Sequence, residues 1–252
     1  MSNVLFTIGN IKIYGYGFLI AVGILVASIG AFICAHKKGL SLEVVLDLIC
    51  CNLCGGLIGG KLLSVLVNVK YALENNLSFD DVFGGIVIYG AIIGAALACL
   101  IYCKVKNVSF LEYGDIALPC ICFAHGIGRL GCLSAGCCYG KEYHGFGAIT
   151  FTDSVFAPNN IPLIPTQIIS SVFMIIFGCI CLWIMFKKKT PTGYLSSTYF
   201  LVYGIARFVV EFLRGDVARG HILFLSTSQF ISIFIIILGV ILRYKVTKKA
   251  PQ

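Results

Sequence analysis

Seven stretches of about 20 mostly apolar residues constrain this chain more than any other feature in it, because that is the length a helix needs to cross a bilayer. They cover residues 14–35, 44–67, 84–103, 114–133, 167–186, 194–213 and 228–243. A domain that folds in water carries roughly 25% charged residues. Here 12% are charged and 59% hydrophobic, so a water-facing surface cannot be built. The expected fold class is an all-α integral membrane protein: a seven-transmembrane-helix bundle forming a single domain over residues 1–252. The longest non-spanning stretch, 136–166, contains Gly, Pro and aromatic residues and reads as a small extracytoplasmic head. The polar stretch 70–83 reads as a short helix along the membrane surface.

The formal net charge of +8 does not point to nucleic acid, because the basic residues cluster just beyond apolar runs. They follow the first span (Lys37, Lys38), the third (Lys104, Lys106), the fifth (Lys187, Lys188, Lys189) and the seventh (Arg243, Lys245, Lys248, Lys249). These are alternate connections, so seven spans put them all on one side, the cytoplasm, with the N-terminus outside and the C-terminus inside. The first apolar run ends in His36-Lys37-Lys38 rather than a small-residue cleavage site, which predicts a retained helix. Most of the 13 cysteines lie inside apolar runs and read as small buried hydrophobes. Cys51 and Cys54 have redox spacing, but no thioredoxin-like pattern surrounds them. Cys132, Cys137, Cys138 and His144 offer zinc-ligand types, yet the reading favours no metal.

Ionisable groups inside spans are costly and mark function by default. Arg207 and Glu211 are one helical turn apart and share a face. A guanidinium fork suits phosphate, and a carboxylate orients it; a structural ion pair is the plainer alternative. His125, Arg129 and Cys132 are spaced four and three apart, which also predicts one shared face. There histidine can accept a proton and Arg129 favours a thiolate. Glycine-mediated packing around a hydrogen-bonded histidine is the alternative.

A series of motifs runs through the same frame. Tyr14-Gly15-Tyr16-Gly17 opens the first span, residues 55–63 read GGLIGGKLL, and Tyr89-Gly90-Ala91-Ile92-Ile93-Gly94 opens the third. Asp115-Ile116-Ala117-Leu118-Pro119, Gly128-Arg129-Leu130-Gly131, Pro165-Thr166-Gln167, the 203–214 segment and Ser228-Gln229 follow. In this order they resemble the bacterial prolipoprotein diacylglyceryl transferases. Lys61 stands where that family usually has Arg, Tyr89 where it has His, and Cys132 where its signature has Asn.

The resemblance implies a multi-pass protein of the bacterial inner membrane that transfers a diacylglyceryl group from phosphatidylglycerol. The acceptor is the lipobox cysteine thiol of a prolipoprotein signal peptide, and a thioether forms as glycerol phosphate leaves. It implies a cavity open sideways to the outer leaflet, and no metal or soluble cofactor. Arg129, Arg207, Glu211 and Tyr89 are its catalytic positions, with Tyr89 placed by position only. Tyr16, Lys61, Cys132, Gly140 and Arg214 are its substrate-binding positions. A tyrosine, with an ordinary pKa near 10, is a poor base at neutral pH, so helix geometry nominates His125 as the base. The alternatives are a related transferase with another acceptor, a lipid or anion transporter, and a membrane thiol oxidoreductase.

Overall fold

The computed structural model describes residues 4–9, 11–75, 85–216, 221–222 and 224–249. Among them are seven helices: α1 Gly15–Lys38, α2 Leu42–Asn75, α3 Ile88–Val105, α4 Phe110–Ala135, α5 Thr166–Lys187, α6 Tyr194–Glu211 and α7 Thr227–Lys249. Three antiparallel two-stranded ribbons accompany them: β1 Val4–Ile8 with β2 Ile11–Tyr14, β3 Ile149–Thr150 with β4 Pro162–Leu163, and β5 His221–Ile222 with β6 Leu225–Ser226.

Six of the seven helices are long and apolar enough to cross a membrane. The other, α6, has 18 residues. Ser196, Ser197, Thr198, Arg207 and Glu211 dilute its apolar character. Three expected boundaries shift. Tyr14 ends β2 rather than opening α1. The segment 85–87 is not helical, so the third helix starts at Ile88. Residues 70–75 continue α2 instead of starting a surface helix, and 76–83 lie outside the described residues.

The chain divides into two compact units, residues 32–113 and residues 1–31 with 114–252. In the 32–113 unit, α2 and α3 pack through glycines. A Cβ on Gly55 would lie 2.6 Å from the Ala98 Cβ, and one on Gly59 would lie 2.8 Å from the Gly94 Cα. Such close backbones are how membrane helices gain packing energy when lipid is as apolar as any side chain. The Tyr102 hydroxyl donates to Asp47 Oδ2 at 2.5 Å, tying the same two helices together. Gly59→Leu is expected to cost about 1–3 kcal/mol by overpacking, read as a lowered thermal midpoint in detergent.

In the other unit, α4 fixes the start of α6. The Asp115 carboxylate accepts hydrogen bonds from the Gly193 N–H at 2.6 Å, the Ser196 N–H at 2.7 Å and the Ser196 hydroxyl at 2.7 Å. It therefore serves as the anionic cap of a helix that supplies no side-chain cap of its own. α7 starts with a reciprocal cap. The Ser226 N–H donates to Gln229 Oε1 at 3.1 Å, and the Gln229 N–H donates to Ser226 Oγ at 3.2 Å. This Ser-x-x-Gln box fixes Ser228 between its two members. At the far end of α7 the Arg243 guanidinium sits 3.8 Å over the Tyr194 ring and donates to Thr198 Oγ1 at 3.0 Å.

Candidate active site

With both its start and its neighbour α7 fixed, α6 carries Arg207 and Glu211 on one face. Arg207 Nη1 lies 2.6 Å from Glu211 Oε2, and both side chains are largely buried. Arg207 Nη2 donates to Ser228 Oγ at 2.6 Å. One guanidinium is thus aimed by a carboxylate and a capped hydroxyl together.

The face expected on α4 is also present. Arg129 Nε donates to His125 Nε2 at 3.1 Å. The His125 ring in turn lies 5.4 Å from the Tyr203 ring, which stacks on Tyr199 at 5.5 Å. The lone pair on Nε2 therefore faces a cation that already donates to it. This geometry aims Arg129 and does not leave Nε2 open to take a proton from a substrate.

Arg129, Arg207 and His125 line one cavity of about 450 Å³ between α4, α5 and α6. Its remaining wall is apolar, including Phe173 and Met174 from α5 and Val209 from α6. Phe173 and Val209 of this wall are exposed. Two fixed cations facing an apolar wall suit an amphiphile with an anionic headgroup.

Two carried-over positions, Arg214 and Gly140, are tightly packed into their surroundings. Arg214 is buried, 8% exposed, and grips Asp216 with two hydrogen bonds, Nε to Oδ1 at 2.8 Å and Nη2 to Oδ2 at 2.5 Å. Its Nε lies 4.0 Å from Glu211 Oε2. Gly140 bridges Arg214 in the backbone. There the Lys141 N–H donates to the Leu213 carbonyl at 2.9 Å, and the Gly140 N–H to the Ile164 carbonyl at 3.1 Å. A Cβ on Gly140 would meet the Ile164 carbonyl oxygen at 2.5 Å, so only glycine fits where three chain segments meet.

The end of α4 gathers three sulfur atoms. Gly136 has φ +69°, the Gly136 N–H donates to Leu133 O at 3.1 Å, and the Cys137 N–H donates to Cys132 O at 3.0 Å. This is a Schellman turn, and it folds Cys137 and Cys138 back onto Cys132. The first turn of α5 holds them there. Thr166 Oγ1 donates to Cys138 O at 2.7 Å, and Gln167 Nε2 donates to Cys137 O at 2.8 Å. Hydrogen bonds with Cys132 and Cys137, aided by Arg214 and Arg129, hold the Cys138 thiol well below its ordinary pKa. No cysteine among the described residues is in a disulfide. His144 does not join the cluster; it pairs with Glu142 Oε1 at 2.9 Å on the surface. Tyr16, on the first turn of α1, interacts electrostatically with Arg129 and all three cysteines.

Sequence reasoning placed these thiols in one neighbourhood but missed the turn that assembles them. Its signal is Gly136 directly after the last helical residue. It named Ser228 in the Ser228-Gln229 motif but not as the partner of Arg207; the Ser-x-x-Gln box is the signal that fixes its place. Lys61 and Tyr89 belong to the 32–113 unit, where the Val87 N–H donates to the Gly60 carbonyl at 3.1 Å and brings the start of α3 beside α2.

Fold and site together define a multi-pass membrane protein in which two half-buried arginines line a mostly apolar cavity. The family model for prolipoprotein diacylglyceryl transferase matches residues 3–245. The chain is 45% identical over 240 residues to the phosphatidylglycerol–prolipoprotein diacylglyceryl transferase of Clostridium tetani, covering 95% of this chain and 96% of that protein. It is 42% identical over 250 residues to the second such transferase of Clostridium perfringens, covering 98% and 96%. For the enzyme of that name from Finegoldia magna the identity is 33% over 250 residues, covering 99% and 97%. The chain belongs to the prolipoprotein diacylglyceryl transferase family.

Proposed function

We propose that this protein transfers the diacylglyceryl group of phosphatidylglycerol to the lipobox cysteine thiol of a prolipoprotein signal peptide. The acceptor thiol gives up its proton to water, its sulfur forms a bond to the glyceryl carbon as that carbon's bond to the phosphate oxygen breaks, and glycerol phosphate leaves with the electron pair. Negative charge grows on the departing phosphate, and fixed donors aimed at it lower the barrier. The observation that carries this reading is the shared cavity of Arg129 and Arg207, with an apolar wall for the acyl chains.

In this proposal Arg129 and Arg207 bind and stabilise the phosphate, Glu211 and Ser228 aim Arg207, and His125 aims Arg129. Tyr16 lies on the acceptor side, while Gly140 and Arg214 hold the surrounding backbone. Tyr89 and Lys61 serve by position on α3 and α2. The protein sits in the bacterial inner membrane with α6 as a seventh span, residues 136–166 as the extracytoplasmic head, the N-terminus outside and the C-terminus in the cytoplasm.

Mass spectrometry of a lipobox peptide incubated with the purified protein and phosphatidylglycerol vesicles tests the reaction. A gain of one diacylglyceryl unit on the cysteine is expected. Lipid flux without a covalent product would replace this reading with a transporter.

His125 offers a separate check. Gln can accept from Arg129 as the imidazole does, so His125→Gln is expected to keep activity within about tenfold, with an unchanged pH profile. His125→Leu leaves Arg129 unaimed and should lose about 100-fold. A general base would show the opposite pattern, with Gln as damaging as Leu and one limb of the pH profile missing.

A further inference from the structure

The Sγ atoms of Cys132, Cys137 and Cys138 all lie within 4.8 Å of one another. Around a tetrahedral zinc ion with Zn–S near 2.3 Å, neighbouring sulfurs are about 3.8 Å apart, so each pair needs to close by at most about 1 Å. The backbone that sets this spacing is fixed by the Schellman turn and by the Thr166 and Gln167 side chains. Cys138 has φ +60°, a conformation L-residues rarely adopt, and it is kept here beside the other two sulfurs.

Charge favours the same use. Three thiolates around a dication leave one net negative charge, and Arg129 and Arg214 both interact with the cluster. Among the described residues no fourth His, Cys, Asp or Glu joins the three. Three protein ligands with one position open is the arrangement of a reactive zinc site, whereas purely structural sites are closed by four. Arg129 connects this cluster to the phosphate-binding cavity, which it also lines.

We propose that Cys132, Cys137 and Cys138 form a three-thiolate site for a soft divalent cation of the zinc class, its fourth position open to the acceptor thiol. The acceptor clause rests on the transferase reading above; the metal site does not. A thiol that binds zinc is deprotonated, and its proton passes to water. The bound sulfur keeps the lone pair that forms the new carbon–sulfur bond, the carbon–oxygen bond breaks toward phosphate, and the metal changes neither charge nor oxidation state. Activation of this kind would supply what Tyr89 does not.

The test uses the full-length protein, purified reduced and without chelator. One zinc per chain is expected, replaceable by cobalt with sulfur-to-cobalt charge-transfer absorption. Each of Cys132→Ser, Cys137→Ser and Cys138→Ser should weaken zinc binding by more than about 100-fold, beyond the ~10–100-fold typical of changes outside the ligand shell. A lipobox peptide should shift the visible bands of the cobalt protein, and its Cys-to-Ser analogue should not. If the folded wild-type protein binds neither ion, or carries a disulfide between two of these cysteines, the site is overturned. Bound cobalt whose bands ignore the peptide overturns the open position. Metal uptake is read without turnover, so its failure is separate from a failure of the transferase assay.

Discussion

Arg207→Ala is expected to lower kcat/KM for diacylglyceryl transfer by about 10³-fold, the scale reached when a fixed donor to a developing anion is removed. The residue is more than a positive charge. Nη1 is ion-paired with Glu211 Oε2 at 2.6 Å and Nη2 donates to Ser228 Oγ at 2.6 Å, so the planar fork is held at two nitrogens while the residue lines the cavity. Lysine keeps the charge, but a compact ammonium cannot hold both partners and still meet a phosphate in a fixed orientation. Arg207→Lys should therefore fall nearly as far as Arg207→Ala. The measurement is the initial rate with lipobox peptide in phosphatidylglycerol vesicles. Near-wild-type rates for the lysine variant would mean that a point charge suffices and that the directed geometry is incidental.

Asp115→Ala should have the largest effect on stability, about 3 kcal/mol. Three hydrogen bonds converge on this carboxylate, from the Gly193 and Ser196 backbones and the Ser196 hydroxyl. Hydrogen bonds to a charged group contribute about 1.5–3 kcal/mol each, and their partners would be left buried and unsatisfied. The loss falls at the start of α6, more than 10 residues from Arg207, so stability should drop before the chemistry is touched directly. Thermal unfolding in detergent would show a lowered midpoint. Below that midpoint, activity per folded molecule should stay close to wild type. Asp115→Asn retains an acceptor and should lose less.

The helices were legible because a bilayer demands a length and a composition that can be counted along the chain. What resisted reading was whatever local polar chemistry decides. α6 carries its Ser, Thr, Arg and Glu where it faces Asp115 at one end and the cavity at the other, and those polar residues keep it below the apolar character that the other six helices share. α2 runs on to Asn75 because a helix can outlast its apolar stretch. The β1–β2 ribbon has no long periodic pattern to announce it.

The site was legible in part. The shared faces of His125 with Arg129 and of Arg207 with Glu211 follow from helical spacing, and the structure adds that α4 and α6 turn both toward one cavity. The hydrogen bond from Arg129 Nε to His125 Nε2 was not legible, since helical spacing puts the two on one face without saying which atoms meet. The protein partners of Arg214 and Gly140 were less visible. Asp216, two residues after Arg214, was the visible hint that its guanidinium already had a partner. Gly140 offered none, because the crowding at Ile164 comes from residues distant in sequence.

The Arg207–Glu211 ion pair carries a consequence for turnover. An arginine facing an empty apolar chamber alone would cling to any phosphate it met, including the glycerol phosphate the proposed reaction must let go. With a carboxylate already beside it, the guanidinium exchanges one anion for another rather than gaining its first. In the proposed reaction Glu211 would thereby weaken the hold on the spent headgroup and let the next lipid enter.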